Sequence, residues 1–306
     1  MTATPTIRLG TRASKLAMWQ SNWVKDQLES AGHSVEVIQI KTQGDVKTGP
    51  LAQIGGQGLF TKKLQVALLE NQIDIAVHSL KDLPTEDIDG LHIAAIPQRE
   101  TTQDALVSNH FDSLEQLPQN ATVGTGSVRR AAQLLHHRSD LNIVDIRGNV
   151  DTRLEKLDSG DYHAIILAAA GLTRLGLADR ISAAFDESQL FPAVGQGALG
   201  IETQNDAAPE LIAALQQLNH PESFARAMAE RHMLRRLFAG CLAPVGAKTS
   251  VTAGALTLEG VVLSTDGKTI VKASSTLPMT DYQSLGVQVA EELIANGADR
   301  LLSTTK

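Results

Sequence analysis

IRLGTRASKLAMWQ, residues 7–20, decides how the rest of the chain is read. Ile7–Leu9 is a short apolar run suited to a buried strand, and Gly10-Thr11-Arg12 carries it into a helix that Ser14 can cap. Leu16, Trp19, Trp23, Val24 and Leu28 recur at helical spacing until Gly32 ends the run. The same passage returns at VGTGSVRRAAQL, residues 123–134, where Val123-Gly124-Thr125 echoes Leu9-Gly10-Thr11. Two junctions of one kind point to two similar domains, each with helices covering a largely parallel sheet.

Outward from these junctions the alternation continues. Strands are predicted at Val35–Ile40, Ile73–Val77 and Leu91–Ile96, with a helix at Lys62–Asn71. The polar stretch Thr42 to Gly58 holds Gly44, Gly49, Gly55, Gly56 and Gly58, and a loop of that length in a compact protein is expected to serve function. Past a crossing at Pro97–Thr102, strands are predicted near Val123 and at Asn142–Ile146 and Ala164–Ala168, with helices at Val128–Arg138 and Val150–Ser159. Ala193–Glu202 reads as a second crossing that leads into a strand returning to the first domain. Helices follow at Pro209–Asn219 and Pro221–Phe238, then strands at Val251–Leu258, Gly260–Leu263 and Thr269–Ser275. A last helix carries Leu285, Val289 and Leu293 on one face. The expected domains are 1–98 plus about 198–218, 103–193, and a small α+β domain over 220–306.

Composition narrows the function. The chain has 306 residues, 42% hydrophobic and 20% charged, which is ordinary globular usage. Apolar runs such as Ala164–Gly171 are too short to cross a bilayer, and Met1–Leu9 lacks the pattern of a secretory signal, so no membrane partner is expected. A single cysteine makes no internal disulfide and fits a reducing compartment, with the cytoplasm as the default. A net charge of −7 and 3% aromatic residues argue against a nucleic-acid partner. His136, His137, His220 and His232 have no carboxylate or cysteine at metal-ligand spacing, so no metal site is expected and they read as surface or capping residues.

The cations carry more information. Arg12 and Lys15 flank the start of the first helix, Arg129 and Arg130 fall in the first turn of another, Arg147 ends a strand, and Arg153 opens the helix after Gly148-Asn149-Val150. A cation at a helix N-terminus opposes the macrodipole by roughly 0.3–1 kcal/mol. Three such helix starts suggest a compensating anion, which free N–H groups and guanidinium forks would bind at the carboxyl ends of strands. The other reading is that each arginine pairs with a neighbouring carboxylate or sits in water. Lys81-Asp82 follows another strand end. Asp82 there either stabilises a developing cation and hands a proton to a leaving amine, or is a turn aspartate before Leu83-Pro84. Cys241, between small residues, is either a buried apolar side chain or an accessible point of attachment.

Eight segments together make the chain similar to the porphobilinogen deaminase (hydroxymethylbilane synthase) family. They are GTRASKLAMWQ (10–20), GGQGLFTKKL (55–64), HSLKDLP (78–84), GTGSVRRAAQL (124–134), IRGNVDTRL (146–154), AAAGLTRLGL (168–177), PAVGQGALGIE (192–202) and LFAGCLAPVGA (237–247). The resemblance implies two similar α/β domains arranged as in a bilobal periplasmic binding protein, plus a small C-terminal α+β domain. It implies a monomeric transferase that joins four porphobilinogen molecules head to tail with loss of ammonia. A dipyrromethane cofactor, one per chain, would be held by a thioether to Cys241 and would prime the growing tetrapyrrole. Asp82 would be the catalytic carboxylate. Lys81, Ser127, Arg129 and Arg130 would bind the cofactor. Arg12, Ser14, Gln20, Ser79, Thr125, Arg147, Arg153, Arg174 and Gln196 would bind substrate, whose rings each carry an acetate and a propionate.

The chain departs from that pattern in places. Gln53 and Gln57 stand where lysines are expected, GTGSVRR replaces GTSSLRR with loss of a hydroxyl at Gly126, and Phe238-Ala239 precedes Gly240-Cys241 where Glu-Gly is frequent. Two other readings compete with the transferase. A non-catalytic bilobal binding protein for an anionic metabolite predicts an unmodified cysteine, and a cysteine-nucleophile hydrolase wants a histidine beside Cys241.

Overall fold

The computed structural model describes residues 5–40, 61–239 and 243–303. The glycine-rich segment with Gln53 and Gln57, and Cys241 itself, lie outside the described residues. The chain opens with β1 (Ile7–Thr11), α1 (Lys15–Ser30), β2 (Val35–Gln39), α2 (Lys62–Leu69), β3 (Ile75–Ser79) and β4 (Leu91–Ala95). Next come β5 (Asp104–Val107), β6 (Thr122–Gly124), α3 (Val128–His137), β7 (Asn142–Val144), α4 (Val150–Asp158), β8 (Ala164–Ala168), α5 (Ala169–Arg174) and β9 (Ala183–Ala184). The remainder is β10 (Leu199–Gln204), α6 (Pro209–Leu218), α7 (Pro221–Arg236), β11 (Val245–Thr252), β12 (Ala255–Leu263), β13 (Ile270–Pro278), α8 (Tyr282–Ala295) and α9 (Ala298–Ser303). These elements gather into two compact units, Met1–Arg99 with Ala198–Phe224, and Glu100–Gly197 with Ala225–Lys306.

The sheet of the first unit has the order β2-β1-β3-β10-β4. β1 pairs in parallel with β2 and β3, and β10 runs antiparallel between β3 and β4. Strand period 2 sorts the side chains onto two faces. Ile75 and Val77 of β3 pack with Leu9, Val24, Leu28 and Leu215, whereas Ala76 faces the cluster of Leu64, Leu68 and Ile73. A fully buried leucine of this kind contributes about 1.5–3 kcal/mol. α1 starts where expected because the Ser14 hydroxyl accepts from Ala17 N at 3.3 Å.

The first sheet of the second unit has the order β7-β6-β8-β5-β9. β6 is parallel to β7 and β8, and β5 runs antiparallel between β8 and β9. Both five-stranded sheets therefore follow one plan: second strand, first, third, an antiparallel strand, fourth. The echo between Leu9-Gly10-Thr11 and Val123-Gly124-Thr125 has this as its structural basis, since β1 and β6 hold the same place in their sheets. A β-carbon on Gly124 would stand 2.9 Å from Tyr162 Cδ1, so glycine there allows a close approach. The three-stranded meander β11-β12-β13 is covered by α8, whose Leu285, Val289 and Leu293 are buried as expected. Ala132, Phe191, Val261 and Leu263 form a cluster that joins this meander to α3.

Some expected boundaries moved. The strand predicted at Val251–Leu258 is interrupted by a hairpin turn at Ala253-Gly254, where both residues have positive φ (50° and 80°), so β11 and β12 lie on either side. β5 and β9 were not expected; both are short, and β5 is buried along its whole length, so neither shows a clean alternation. No described helix is long and apolar enough to cross a membrane.

Candidate active site

In the first unit the expected residues collect where β1 and β3 end. Ser79 closes β3, and Leu80–Asp82 form one 3₁₀ turn. Leu80 anchors that turn: it is buried, its N–H donates to Ala198 O at 3.0 Å, and its side chain fills the space over Gly200. The turn thus holds Lys81 half-buried and Asp82 exposed, on a rigid rather than a floating support. Gln20 of α1 reaches across to Ser79, donating to its hydroxyl at 2.8 Å and accepting back at 3.1 Å. Arg12 stands just past β1, and Ser14 is engaged as the cap of α1.

Beneath this turn lies a polar network that sequence reasoning missed. His78 Nε2 is 3.0 Å from Glu202 Oε2, and Gln65 Nε2 donates to Glu202 Oε1 at 3.1 Å, with all three residues buried. Both His78 and Glu202 fall inside the quoted motifs, yet their pairing joins positions 124 residues apart. Only the antiparallel register of β3 and β10 reveals it.

In the second unit the expected residues cluster at the ends of β6, β7 and β8. Ser127 caps α3 by accepting from Arg130 N at 3.4 Å, and the Thr125 hydroxyl accepts from Ser127 N at 3.2 Å. Arg129 and Arg130 both turn inward onto Asp104, a fully buried carboxylate that the sequence reading passed over. Arg129 Nη2 donates to its Oδ2 at 2.7 Å, while Arg130 Nε and Nη2 donate to its Oδ1 at 3.0 and 2.6 Å. Gln196 Nε2 adds a fourth bond to Asp104 Oδ1 at 2.8 Å. Burial alone would raise the Asp104 carboxyl, but the charges of Arg129 and Arg130 and the hydrogen bonds from Arg130 and Gln196 outweigh it and hold it well below the usual carboxylate range. Gln196 is fixed from behind as well, because Gly195 N donates to the buried Glu230 at 2.8 Å.

The remaining arginines are less enclosed. Arg147 Nε donates to Asp145 Oδ2 at 2.7 Å, a partly exposed pair. Arg153 Nε donates to Gly148 O at 2.8 Å. Arg174 Nη2 donates to Gly197 O at 2.7 Å, and burial pulls its guanidinium below the usual value. Gly197 has φ +81°, and a β-carbon there would meet Thr101 O at 2.6 Å, so only glycine fits. For Arg129, Arg130 and Arg147 the structure thus provides neighbouring carboxylates, the second of the two readings that the sequence left open. The histidines outside these clusters have ordinary partners: His136 and His137 bond Gly267 O and Gln189 O, and His220 caps α7 through Ser223 N. Among the described residues no group of His, Cys, Asp or Glu could hold a metal ion.

Chemically, the first unit offers an exposed carboxylate beside an ammonium, and the second a set of guanidiniums suited to carboxylates. Residues 7–210 match the family model described as porphobilinogen deaminase, dipyromethane cofactor binding domain, and residues 224–295 match its C-terminal domain. Solved structures with a similar trace include a putative periplasmic sulfonate-binding protein, SsuA, from Methylobacillus flagellatus KT (14% identity, TM-score 0.42, 74% of this chain and 69% of that one). The methionine-binding protein MetQ is another (14% identity, TM-score 0.46, 70% and 89%). A YaeC-family lipoprotein from Enterococcus faecalis V583 is a third (15% identity, TM-score 0.41, 70% and 90%).

Proposed function

The chain belongs to the porphobilinogen deaminase family, and from that premise we propose how its own residues divide the work. The protein polymerises porphobilinogen into hydroxymethylbilane and uses a dipyrromethane cofactor, a transferase activity of tetrapyrrole biosynthesis. When bound, that cofactor supplies the pyrrole carbon to which the first substrate unit is joined.

The second unit fits an acidic pyrrole. Two buried guanidiniums face one buried carboxylate, and Arg129 Nε is buried with no hydrogen-bond acceptor among the described residues. An uncompensated buried cation is costly, and a carboxylate from a ligand would offset it. That surplus positive charge is the observation that carries the reading. Lys81, Ser127, Arg129 and Arg130 would hold the cofactor carboxylates, and Cys241 would bond it through sulfur. Arg12, Arg147, Arg153 and Arg174 would bind the acetate and propionate arms of the substrate, with Ser14, Gln20, Ser79, Thr125 and Gln196 as hydrogen-bonding support.

Asp82 is the catalytic residue in this reading. Its carboxyl group sits on a turn fixed by Leu80, where the acid form would hand a proton to the departing amine and the carboxylate so formed would steady the positive charge left on the substrate pyrrole. The protein would act as a monomer; its single cysteine supports a cytoplasmic location, and its net charge of −7 supports the lack of a nucleic-acid partner.

Asp82→Asn keeps the shape and removes the charge. Loss of an acid/base group costs typically 10²–10⁴-fold, so turnover should fall by about that factor while thermal stability stays near wild type. Intact mass of the wild-type protein should exceed the polypeptide by a covalent dipyrrole, and Cys241→Ser should lack the increment. Wild-type turnover in Asp82→Asn, or a bare thiol in protein made with abundant porphobilinogen, would refute the assignment.

A further inference from the structure

Glu230 of α7 is a buried carboxylate to which no role in binding or catalysis has been given, and its two oxygens face two different elements. Oε1 accepts from the Thr249 hydroxyl of β11 at 2.8 Å, and Oε2 accepts from Gly195 N, also at 2.8 Å. Thr249 is held in turn by Arg226, whose Nε and Nη2 donate to its hydroxyl and its carbonyl at 3.1 and 2.9 Å. At the far end of this series of bonds is the turn over residues 193–197, which Gln196 N closes by donating to Ala193 O at 2.9 Å. Gly195 and Gly197 both have positive φ, 73° and 81°. Glycine enters that region easily but does not by itself stay there. Three successive residues of the turn reach three partners. Gly195 gives its N–H to Glu230, Gln196 gives its side-chain amide to Thr102 O at 2.6 Å, and Gly197 O accepts from Arg174 Nη2 at 2.7 Å.

We propose that Glu230 is a positioning residue for substrate binding: by holding Gly195 it fixes the Gly197 carbonyl on which the Arg174 guanidinium is oriented. The proposal rests on the reading that Arg174 binds an acidic arm of the substrate. A peptide N–H bonded to a carboxylate makes one of the stronger hydrogen bonds, and at a buried site water does not compete for it. Without that bond the two glycines would let the turn sample other conformations, and Arg174, at the end of a long side chain, would follow its acceptor. A carboxylate suits the place because both of its oxygens accept, one for the donor from β11 and one for the donor from the turn. A glutamine can serve as well, with its oxygen toward Gly195 N and its amide toward the Thr249 hydroxyl, whereas a leucine serves neither.

The test is a double-mutant cycle on full-length protein made with porphobilinogen, with steady-state rates counted per molecule that carries the covalent increment on intact mass. Glu230→Leu should raise the KM for porphobilinogen by about 2- to 30-fold, the span usual for coupling passed through intermediate residues, with kcat within about twofold of wild type. Glu230→Gln should stay within about twofold of wild type in both, because it keeps the bond to Gly195 N. In the Arg174→Met background, Glu230→Leu should change KM by less than about twofold, since the side chain it acts through is gone. Glu230→Asp keeps the charge but draws it back by one methylene; it should behave as Glu230→Leu does, and it replaces that variant if the leucine does not fold. The proposal is overturned if KM is unchanged in the folded Glu230 variants, if Glu230→Gln is as impaired as Glu230→Leu, or if the rise in KM is the same with and without Arg174. A wild-type KM in Arg174→Met would instead overturn the reading of Arg174 as a substrate ligand, and this proposal with it.

Discussion

Arg147 shows how little holds some of these arginines and how closely the backbone is fitted around them. Its partner Asp145 lies two residues away, and the pair is 36% and 50% exposed. A β-carbon on Gly126 would stand 2.9 Å from Asp145 Oδ1, the tip of an exposed side chain that can shift, and 3.1 Å from Ile146 O, so the backbone passes close to this pair. Exposed ion pairs contribute about 0–1 kcal/mol, so Arg147 can exchange Asp145 for a substrate carboxylate at small cost. Asp145→Asn should remove that competitor and lower the KM for porphobilinogen by about 2- to 5-fold, the factor that up to ~1 kcal/mol allows, with kcat unchanged. Steady-state kinetics decide it; a higher KM would mean that Asp145 orients Arg147 for substrate rather than competing with it.

At the scale of elements, β3 matters most because its end supports Ser79, Lys81 and Asp82. Its attachment to β10 is partly polar, through the buried network of His78, Glu202 and Gln65. Glu202→Leu would leave His78 and Gln65 without their shared acceptor, and an unsatisfied buried polar group costs about 1–3 kcal/mol. Denaturant unfolding should show a loss of that size in Glu202→Leu and a smaller one in Glu202→Gln, which keeps one acceptor oxygen. Equal stability in wild type and Glu202→Leu would show that apolar packing alone joins the two strands. The inward turn of Arg129 and Arg130 is a property of α3 as an element, because its first turn places both side chains over β5 and β8 at once.

For the whole molecule, the decisive feature is that the first unit is discontinuous in sequence. β10 returns after the second unit's first sheet has been completed and inserts between β3 and β4. Without it those two strands have no common neighbour, and their inner edges are unpaired. Glu100 N donates to Gly197 O at 3.3 Å, so the ends of the intervening segment lie side by side and a linker of a few residues can replace it. Residues 1–99 alone should therefore be unfolded by circular dichroism and readily proteolysed, whereas 1–99 joined through such a linker to 198–224 should unfold cooperatively. A cooperative transition from 1–99 alone would show that β10 is dispensable.

Much of this was legible in the residues. Each strand-to-helix passage is written within about a dozen positions, and Ser14 and Ser127 cap their helices because the residues that need capping are three positions away. The stripe of Leu285, Val289 and Leu293 is likewise a local period, and the eight motifs carry the family. Other features were hidden because they depend on partners far along the chain. Asp104 reads as an ordinary polar start to a short apolar run until folding brings it to Arg129 and Arg130, 25 and 26 residues on, and to Gln196, 92 residues on. His78 and Glu202 likewise look unremarkable apart. Sequence alone determined most of the elements, the family and the candidate residues, since propensity, capping and motif spacing act over neighbours. Which carboxylate answers which arginine was decided only by the tertiary structure, because strand register brings together charges that are distant in sequence and burial then gives each pairing its energetic weight.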